Sequence, residues 1–439
     1  LRLVFYNPTG ILGGAEMCLL DLLASIRRER PSWSARVLLG DDGPLAAAVA
    51  ELGVPCEVLP LPAALAMLGD AGLSRAPGGR RIAAGLGLAV RGPSAALALS
   101  GYLVRLRRRF EEASPDRVQT NGMKAHLLGT WAAPRGVPVV WQMHDFAGSR
   151  PLMARLLRAS ARWRARRGGL RVVGVSRAVT DDAARVLGAG ARLMVETVYN
   201  AIDLERFTPG PGDGAWLDRE AGMGTAPEGT VRVGLVATYA RWKGHDVFLD
   251  AAARVPAGLP SRFYVVGGPL YRSAGSQFAL EELKARAEAL GLKGRVGFVG
   301  HQQEPEAVFR ALDVVVHAST RPEPFGRVIV EAMACGRAVV ASRAGGAAEL
   351  FEDGSTALGC PPGDPDALAA AVTRLVTDPG LRRSLGVSGR FAACVRFDRS
   401  RLAGQWARVY GEGEAGAAAG GDPSDDRDRS RPEGAKARA

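Results

Sequence analysis

Short apolar runs rich in Val, Ile and Leu recur along the chain, each followed by a stretch whose apolar positions return every three or four residues. In the first half the runs are 3–6, 34–39, 117–120, 137–143, 170–175 and 194–199; in the second they are 231–237, 262–267, 296–299, 314–318 and 338–342. Continuous apolar runs are the pattern of strands buried on both faces, so alternation with helical segments predicts parallel sheets covered by helices. Residues 203–230 are rich in Gly and Pro and carry little periodicity, which marks a linker between two doubly wound α/β domains, 1–202 and 231–396. A last helical pattern covers 397–410, and 411–439 has no apolar anchors and is expected to be disordered.

One helical pattern is unusual in charge. Leu152, Leu156, Ala159 and Trp163 recur on one face, while Arg155, Arg158, Arg162 and Arg166 occupy another. Two readings stay open: a solvated surface helix docked by its Leu/Trp stripe, or a basic amphipathic helix that meets anionic lipid or a lipid-diphosphate acceptor. The charge of the chain supports a basic surface there, since residues 1–200 hold 27 Lys and Arg against 15 Asp and Glu, whereas residues 201–439 hold 30 of each. No aromatic-rich motif points to nucleic acid, and none is expected as a partner.

The remaining composition mostly excludes. With 439 residues, 47% apolar and 23% charged, the chain can bury substantial cores. The apolar stretch 82–104 is broken by Arg91, Gly92 and Pro93, leaving pieces shorter than the roughly 20 residues of a membrane span. Five scattered cysteines with no C-x-x-C pair favour a reducing compartment over a disulfide scaffold or zinc site. Residues 1–6 read directly as a buried strand with no secretory signal ahead, so the expected location is cytoplasmic, peripheral on the inner membrane face if the basic helix meets lipid.

The chemistry concentrates in residues 322–336, PEPFGRVIVEAMACG. Glu323 and Glu331 stand eight positions apart around a Pro/Gly turn and a short apolar run, the form of a loop feeding a helix. Glu323 is expected before that helix and Glu331 in its first turns, where both can face one polyhydroxylated ligand. Gly326 and its neighbours would present N–H groups at the helix start, a place that stabilises a diphosphate.

This E-x7-E spacing, with Phe325-Gly326 after the first acid and Glu331-Ala332-Met333-Ala334 at the second, resembles glycosyltransferase family 4, the group 1 retaining enzymes of GT-B architecture. The resemblance extends over residues 3–410. It takes in Gly13-Gly14-Ala15-Glu16, His144-Asp145, Val175-Ser176, Tyr199-Asn200-Ala201-Ile202-Asp203, Trp242-Lys243-Gly244-His245-Asp246, Phe298-Val299-Gly300 and the segment from Ala344 to Leu350. It implies two Rossmann-like domains facing each other across a cleft, with the final helix crossing back to the first. It also implies retaining transfer of a sugar from a UDP- or GDP-linked donor, held mainly by the second domain, to a hydroxyl acceptor on the first.

Residues then acquire roles. Gly13 and Gly14 open a helix after the first strand, where a glycine pair lets backbone approach phosphate or sugar. His144 directly ends the predicted strand 137–143, and the resemblance implies that it points across the cleft at the donor sugar. Arg241 and Lys243 follow the strand 231–237, where a cation can neutralise a departing diphosphate. Ala237-Thr238 stands where many relatives carry Gly-Arg, so Arg241 either substitutes for the absent arginine or merely covers the surface. By resemblance Glu331 accepts hydrogen bonds from the donor ribose and Glu323 from the donor sugar. Phe325, Gly326, Arg327 and Val328 complete the expected donor-binding segment. The resemblance implies retention by front-face departure and attack, in keeping with the lack of an obvious nucleophile positioned by sequence.

No metal or cofactor is expected beyond the nucleotide-sugar co-substrate. Asp364-Pro365-Asp366 reads as a helix cap, not a metal pair, and Asp426-Arg427-Asp428 falls in the tail. Neither G-x-G-x-x-G nor a P-loop is present. The basic first half hints at a cell-envelope glycan or lipid-linked saccharide as acceptor. Two other classes stay open: a nucleotide-sugar epimerase or hydrolase on the same architecture, and a non-enzymatic basic module binding lipid or nucleic acid.

Overall fold

The computed structural model describes residues 1–63, 78–188, 193–269 and 276–411, with backbone alone for 78–93. The predicted tail, including Asp426 and Asp428, lies outside the described residues apart from its first position.

The first lobe is a seven-stranded sheet of β1 (Arg2–Asn7), β2 (Ser34–Leu39), β3 (Cys56–Val58), β4 (Arg117–Asn121), β5 (Val139–Met143), β6 (Leu170–Gly174) and β7 (Met194–Thr197). Its helices are α1 (Gly14–Glu29), α2 (Pro44–Glu51), α3 (Gly78–Ala113), α4 (Met123–Ala132), α5 (Pro151–Ala165) and α6 (Arg177–Leu187). The strands run parallel in the order β3-β2-β1-β4-β5-β6-β7. Chain order reverses between β1 and β4, and in such sheets the crevice beyond the carboxyl ends at that reversal is where ligands bind.

The second lobe repeats the plan with six strands. After α7 (Gly214–Glu220) come β8 (Val231–Val236), α8 (His245–Arg254), β9 (Ser261–Val266), α9 (Leu280–Ala289), β10 (Val296–Val299), α10 (Pro305–Ala311) and β11 (Val314–His317). Then follow α11 (Arg327–Ala334), β12 (Ala338–Ser342), β13 (Leu358–Cys360), α12 (Pro365–Thr377), α13 (Pro379–Arg396) and α14 (Leu402–Tyr410). The order β10-β9-β8-β11-β12-β13, again parallel, places its reversal between β8 and β11. Val314, Val315 and Val316 are fully buried, as expected for a strand covered on both faces.

The segment 203–230 is more than a connection. Within it α7 docks on the second sheet: Leu217 is buried, and the Asp218 carboxylate accepts from Arg232 at 2.7 Å and from the Tyr264 hydroxyl, and pairs with Arg262 at 3.2 Å. A helix of seven residues is too short to leave a periodic signature. At the other end α14 packs on α1, the Ala403 N–H bonds Ser25 Oγ at 2.9 Å, and Trp406 and Tyr410 are buried with Leu3, Phe5 and Trp33. The final helix therefore belongs to the first lobe's core.

Helix α5 overturns one of the two sequence readings, docking by the Leu/Trp stripe. Its buried side is Leu157, Ser160, Ala161 and Arg164, while Leu152 is 68% and Leu156 41% exposed. Arg164 makes this possible by donating to the carbonyls of Ala133, Pro134 and Val137, so a cation caps an otherwise exposed chain turn. The Leu stripe thus faces outward beside exposed Arg155, Arg158, Arg162 and Arg166. Asp364 acts as the expected cap: its carboxylate accepts from the N–H groups of Asp366 at 3.0 Å and Ala367 at 2.9 Å.

Candidate functional site

At the reversal of the second sheet, the loops after β8 and β11 meet over one carboxylate. The turn Arg241–Lys243 ends in Gly244, whose φ is +74°; a Cβ there would lie 1.9 Å from the Ala318 carbonyl oxygen, so only glycine lets the two loops approach. Beyond β11, Glu323 bridges Gly345 as an isolated extended pair, and its carbonyl accepts the Gly346 N–H at 2.7 Å. Those backbone contacts aim the Glu323 side chain into the turn.

Its carboxylate is nearly saturated. Oε1 accepts from Lys243 Nζ at 2.5 Å, and Oε2 accepts from Ser319 Oγ at 2.6 Å and lies 2.6 Å from His317 Nε2. A carboxylate offers about four lone-pair sites, so one direction remains for a ligand hydroxyl. Burial alone would push this carboxyl up; Lys243 and then His317 outweigh it and hold it well below the usual range. Lys243 also lies 4.2 Å from the Trp242 ring centre, which fixes its ammonium beside the site. Arg241 turns elsewhere: it stacks over Phe278 at 4.3 Å and bonds Glu282 at 2.8 Å, so it does not converge with Lys243 in this arrangement.

The E-x7-E segment divides as its sequence predicts, with Glu323 in the loop and Glu331 in α11. Gly326, with φ +102°, is the turn before the helix. The side chains between the acids serve the lobes' contact. Phe325 is buried, its ring 5.9 Å from Phe397, which in turn lies 6.4 Å from Tyr199. Val328 packs against the same core. Arg327 reaches across to the first lobe, donating to Asp21 Oδ2 at 2.8 Å and to the Ala201 carbonyl at 3.3 Å, while its Nε donates to Glu331 Oε1 at 3.1 Å. Phe325, Arg327 and Val328 therefore present packing and ion-pair contacts here, and a donor phosphate at this turn would meet backbone N–H groups.

On the facing lobe, His144 follows β5 directly. Its Nε2 is buried with no hydrogen-bond partner among the described residues, and burial, then Arg327, push the imidazole down to about 4. The ring is neutral near pH 7 and can donate or accept one bond with a hydroxyl. Gly13 and Gly14 head α1, where the Gly13 N–H is met by Glu16 Oε2 at 3.1 Å. The nearest heavy atom to a Cβ on Gly14 would be Arg327 Cδ at 4.0 Å, so the head of α1 and the head of α11 face each other.

Sequence reasoning left out His317, Ser319, Asp21 and Glu349. His317 ends β11 and His144 directly follows β5, and that shared position at a strand's carboxyl end was the available signal. Glu349 pins the lobes together, accepting from the N–H groups of Arg177 at 2.9 Å and Ala178 at 2.8 Å at the head of α6, and from Tyr199 Oη at 2.6 Å. No cluster of three or more metal-ligating side chains occurs among the described residues.

His245 offers a clean pH test beside the site. It is fully buried between Tyr239 and Phe278, neither ring nitrogen has a partner among the described residues, and burial, then Lys243, lower it to about 4. An unfolded histidine takes its proton near pH 6.5, so native stability falls as pH drops from there toward 4. The stability of His245→Phe relative to wild type should therefore be about 2 kcal/mol more favourable at pH 5 than at pH 8, read by denaturant unfolding at both.

Comparison with known proteins agrees with this geometry. Residues 223–390 match the family model for glycosyl transferases group 1, and residues 45–206 that for glycosyltransferase family 4. D-inositol 3-phosphate glycosyltransferase of Thermobifida fusca is 31% identical over 302 residues, covering 65% of this chain and 67% of that protein. The same-named protein of Salinispora arenicola is 36% identical over 232 residues, and the match spans 50% of its length and 50% of this chain. Alpha-D-kanosaminyltransferase of Streptomyces kanamyceticus is 29% identical over 333 residues, 71% of this chain and 81% of that one. Among solved structures, Anabaena HepE in complex with UDP superposes with a TM-score of 0.73 at 27% identity, covering 94% of this chain and 100% of HepE. WaaG, at 16% identity and a TM-score of 0.62, shares the fold.

Proposed function

The chain belongs to the group 1 glycosyltransferases of family 4, and we propose that it transfers a sugar from a nucleoside-diphosphate donor to a hydroxyl acceptor with retention of the anomeric configuration and without a metal. The observation that carries this is the Lys243–Glu323–His317 cluster at the reversal of the second sheet, together with a buried His144 on the first lobe whose Nε2 has no partner among the described residues. Lys243 would neutralise the departing diphosphate, the turn at Gly326 would supply N–H groups to it, and Glu323 would hold a donor-sugar hydroxyl. His144 would bond a sugar hydroxyl from the acceptor side. HepE has been solved with UDP and with UDP-glucose, which favours a uridine donor here.

Titration with a panel of UDP- and GDP-sugars is the test. A UDP-sugar is expected to bind and to be turned over equally in the presence of a chelator, and the product should keep the donor's anomeric configuration by NMR. Glu331→Ala should weaken donor binding about tenfold, in line with the loss of a charged hydrogen bond to ribose. His144→Ala should lower turnover by about 10²-fold with little change in donor affinity. Normal turnover in both variants would reject the site.

For the acceptor we infer a membrane-associated saccharide, because α5 turns Leu152 and Leu156 outward beside a row of exposed arginines. Each basic residue at an anionic surface contributes about 1 kcal/mol. Reversing Arg155, Arg158, Arg162 and Arg166 to glutamate should reduce sedimentation with phosphatidylglycerol vesicles at least tenfold by this estimate. Unchanged sedimentation would retire the membrane surface while leaving the donor site untouched.

A further inference from the structure

One arginine is shared between the two lobes, and every nitrogen of its guanidinium is engaged. Arg327 Nε and Nη2 each lie 3.1 Å from Oε1 of Glu331, one turn further along α11. Nη1 crosses to the first lobe, where it donates to Asp21 Oδ2 at 2.8 Å and to the Ala201 carbonyl at 3.3 Å. The side chains of Arg327, Glu331 and Asp21 are 12%, 13% and 6% exposed, so water screens little of the charge among them.

The two oxygens of Glu331 are used unequally. Both guanidinium contacts fall on Oε1, and Oε2 has no partner among the described residues. Left to one carboxylate, an arginine closes a fork on both oxygens, since two parallel bonds are the favoured pairing of these groups. The pull of Asp21 on Nη1 holds the guanidinium short of that fork.

Asp21 is itself tied to the place where the chain passes between the lobes. Its Oδ1 lies 3.9 Å from Arg399, which pairs with Asp203 at 2.8 Å. Beside them the Ile202 N–H donates to the Phe397 carbonyl at 2.9 Å and the Arg399 N–H to the Ile202 carbonyl at 3.0 Å, joining the outward and returning crossings. A row of alternating charge, Glu331, Arg327, Asp21, Arg399 and Asp203, therefore runs from α11 to the crossings. Any rotation of one lobe against the other moves Asp21 relative to Glu331.

We propose that Asp21 and Arg327 are positioning residues for the ribose of the donor nucleotide: by dividing one cation between two carboxylates they keep Glu331 Oε2 open to the ribose hydroxyls. A residue of the first lobe then sets donor affinity in the second, acting through Arg327. The inference rests on the glycosyltransferase reading above, in which Glu331 meets the ribose. It adds that this contact is complete only while the two lobes are together.

The test measures nucleotide affinity of the full chain by calorimetry with two probes, UDP and its dideoxy analogue, which keeps base and diphosphate and lacks both ribose hydroxyls. Wild type should prefer UDP by about tenfold, the worth of a charged hydrogen bond. Asp21→Asn keeps the size of the side chain and removes its charge, so Arg327 closes on both oxygens of Glu331. That variant should bind UDP about fivefold more weakly, bind the dideoxy analogue as wild type does, and so prefer UDP by only about twofold. Equal weakening of both nucleotides would mean that Asp21 only supports the fold, and an undiminished preference for UDP would mean that Glu331 is oriented without it; either overturns the inference. Should Asp21→Asn not fold, Asp21→Ser, which keeps a neutral acceptor for Nη1, gives the same comparison. If GDP alone binds, the guanosine pair replaces the uridine pair. Wild type binding both members of a pair equally would instead sink the ribose contact of Glu331, and failure of UDP and GDP alike to bind would sink the glycosyltransferase reading itself.

Discussion

Lys243→Met is expected to lower sugar transfer by about 10²–10³-fold, the usual cost of removing one preorganised group that stabilises developing negative charge. The Lys243 side chain is 17% exposed, and its ammonium sits 2.5 Å from the carboxylate of Glu323, whose side chain is 9% exposed, so little water can replace it. Its loss also changes Glu323. A carboxyl held low in the native state contributes stability that is complete above its unfolded value, near 4.3, and is lost as pH falls through the native value. Without Lys243 the native value rises toward the unfolded one, so in the variant this contribution is smaller and its loss is complete at a higher pH. Steady-state rates with a UDP-sugar and urea unfolding across acid pH measure the two effects. Transfer within tenfold of wild type would mean that this lysine does not face the leaving group.

Arg327→Met should destabilise the fold by about 3–5 kcal/mol, because it strips the partner from two buried carboxylates at once. Arg327 bridges Asp21 of α1 and Glu331 of α11, and Asp21 is otherwise reached only by the more distant Arg399 at 3.9 Å among the described ion pairs. Burial already raises both carboxyls, with Arg327 opposing that rise. Removing it lifts them further, so the native state then binds protons more tightly than the unfolded chain, and its stability declines as pH rises through the raised native values. The deficit should therefore be larger at about pH 8 than at about pH 5, which denaturant melts at the two pH values will read. A cost below about 1 kcal/mol would show that the interlobe bridge is an exposed, screened pair instead.

Much of the scaffold was legible before any coordinates. Val314 to Val316 and Ala338 to Ala341 are runs of apolar residues that two-sided burial explains, and they belong to adjacent strands. Strands β3 and β13 were missed because each has three residues at a sheet edge, too few to form a pattern. Docking of α5 by its Leu/Trp stripe failed because the buried side is instead Leu157, two small residues and one arginine satisfied by carbonyls, a solution that hydrophobic periodicity does not register. Arg241 looked equivalent to Lys243 by position, yet Phe278 and Glu282, invisible from the local sequence, draw it away.

The amino-acid order by itself determined two parallel-stranded lobes and a loop-to-helix segment carrying Glu323 and Glu331, since those follow from local periodicity and turn chemistry. Only the tertiary structure decided which charges meet. Lys243 and Glu323 are 80 residues apart, and Arg327 and Asp21 are 306 apart. Such pairs form because packed lobes exclude water and bring distant loops within hydrogen-bond reach, and no short-range pattern encodes that distance.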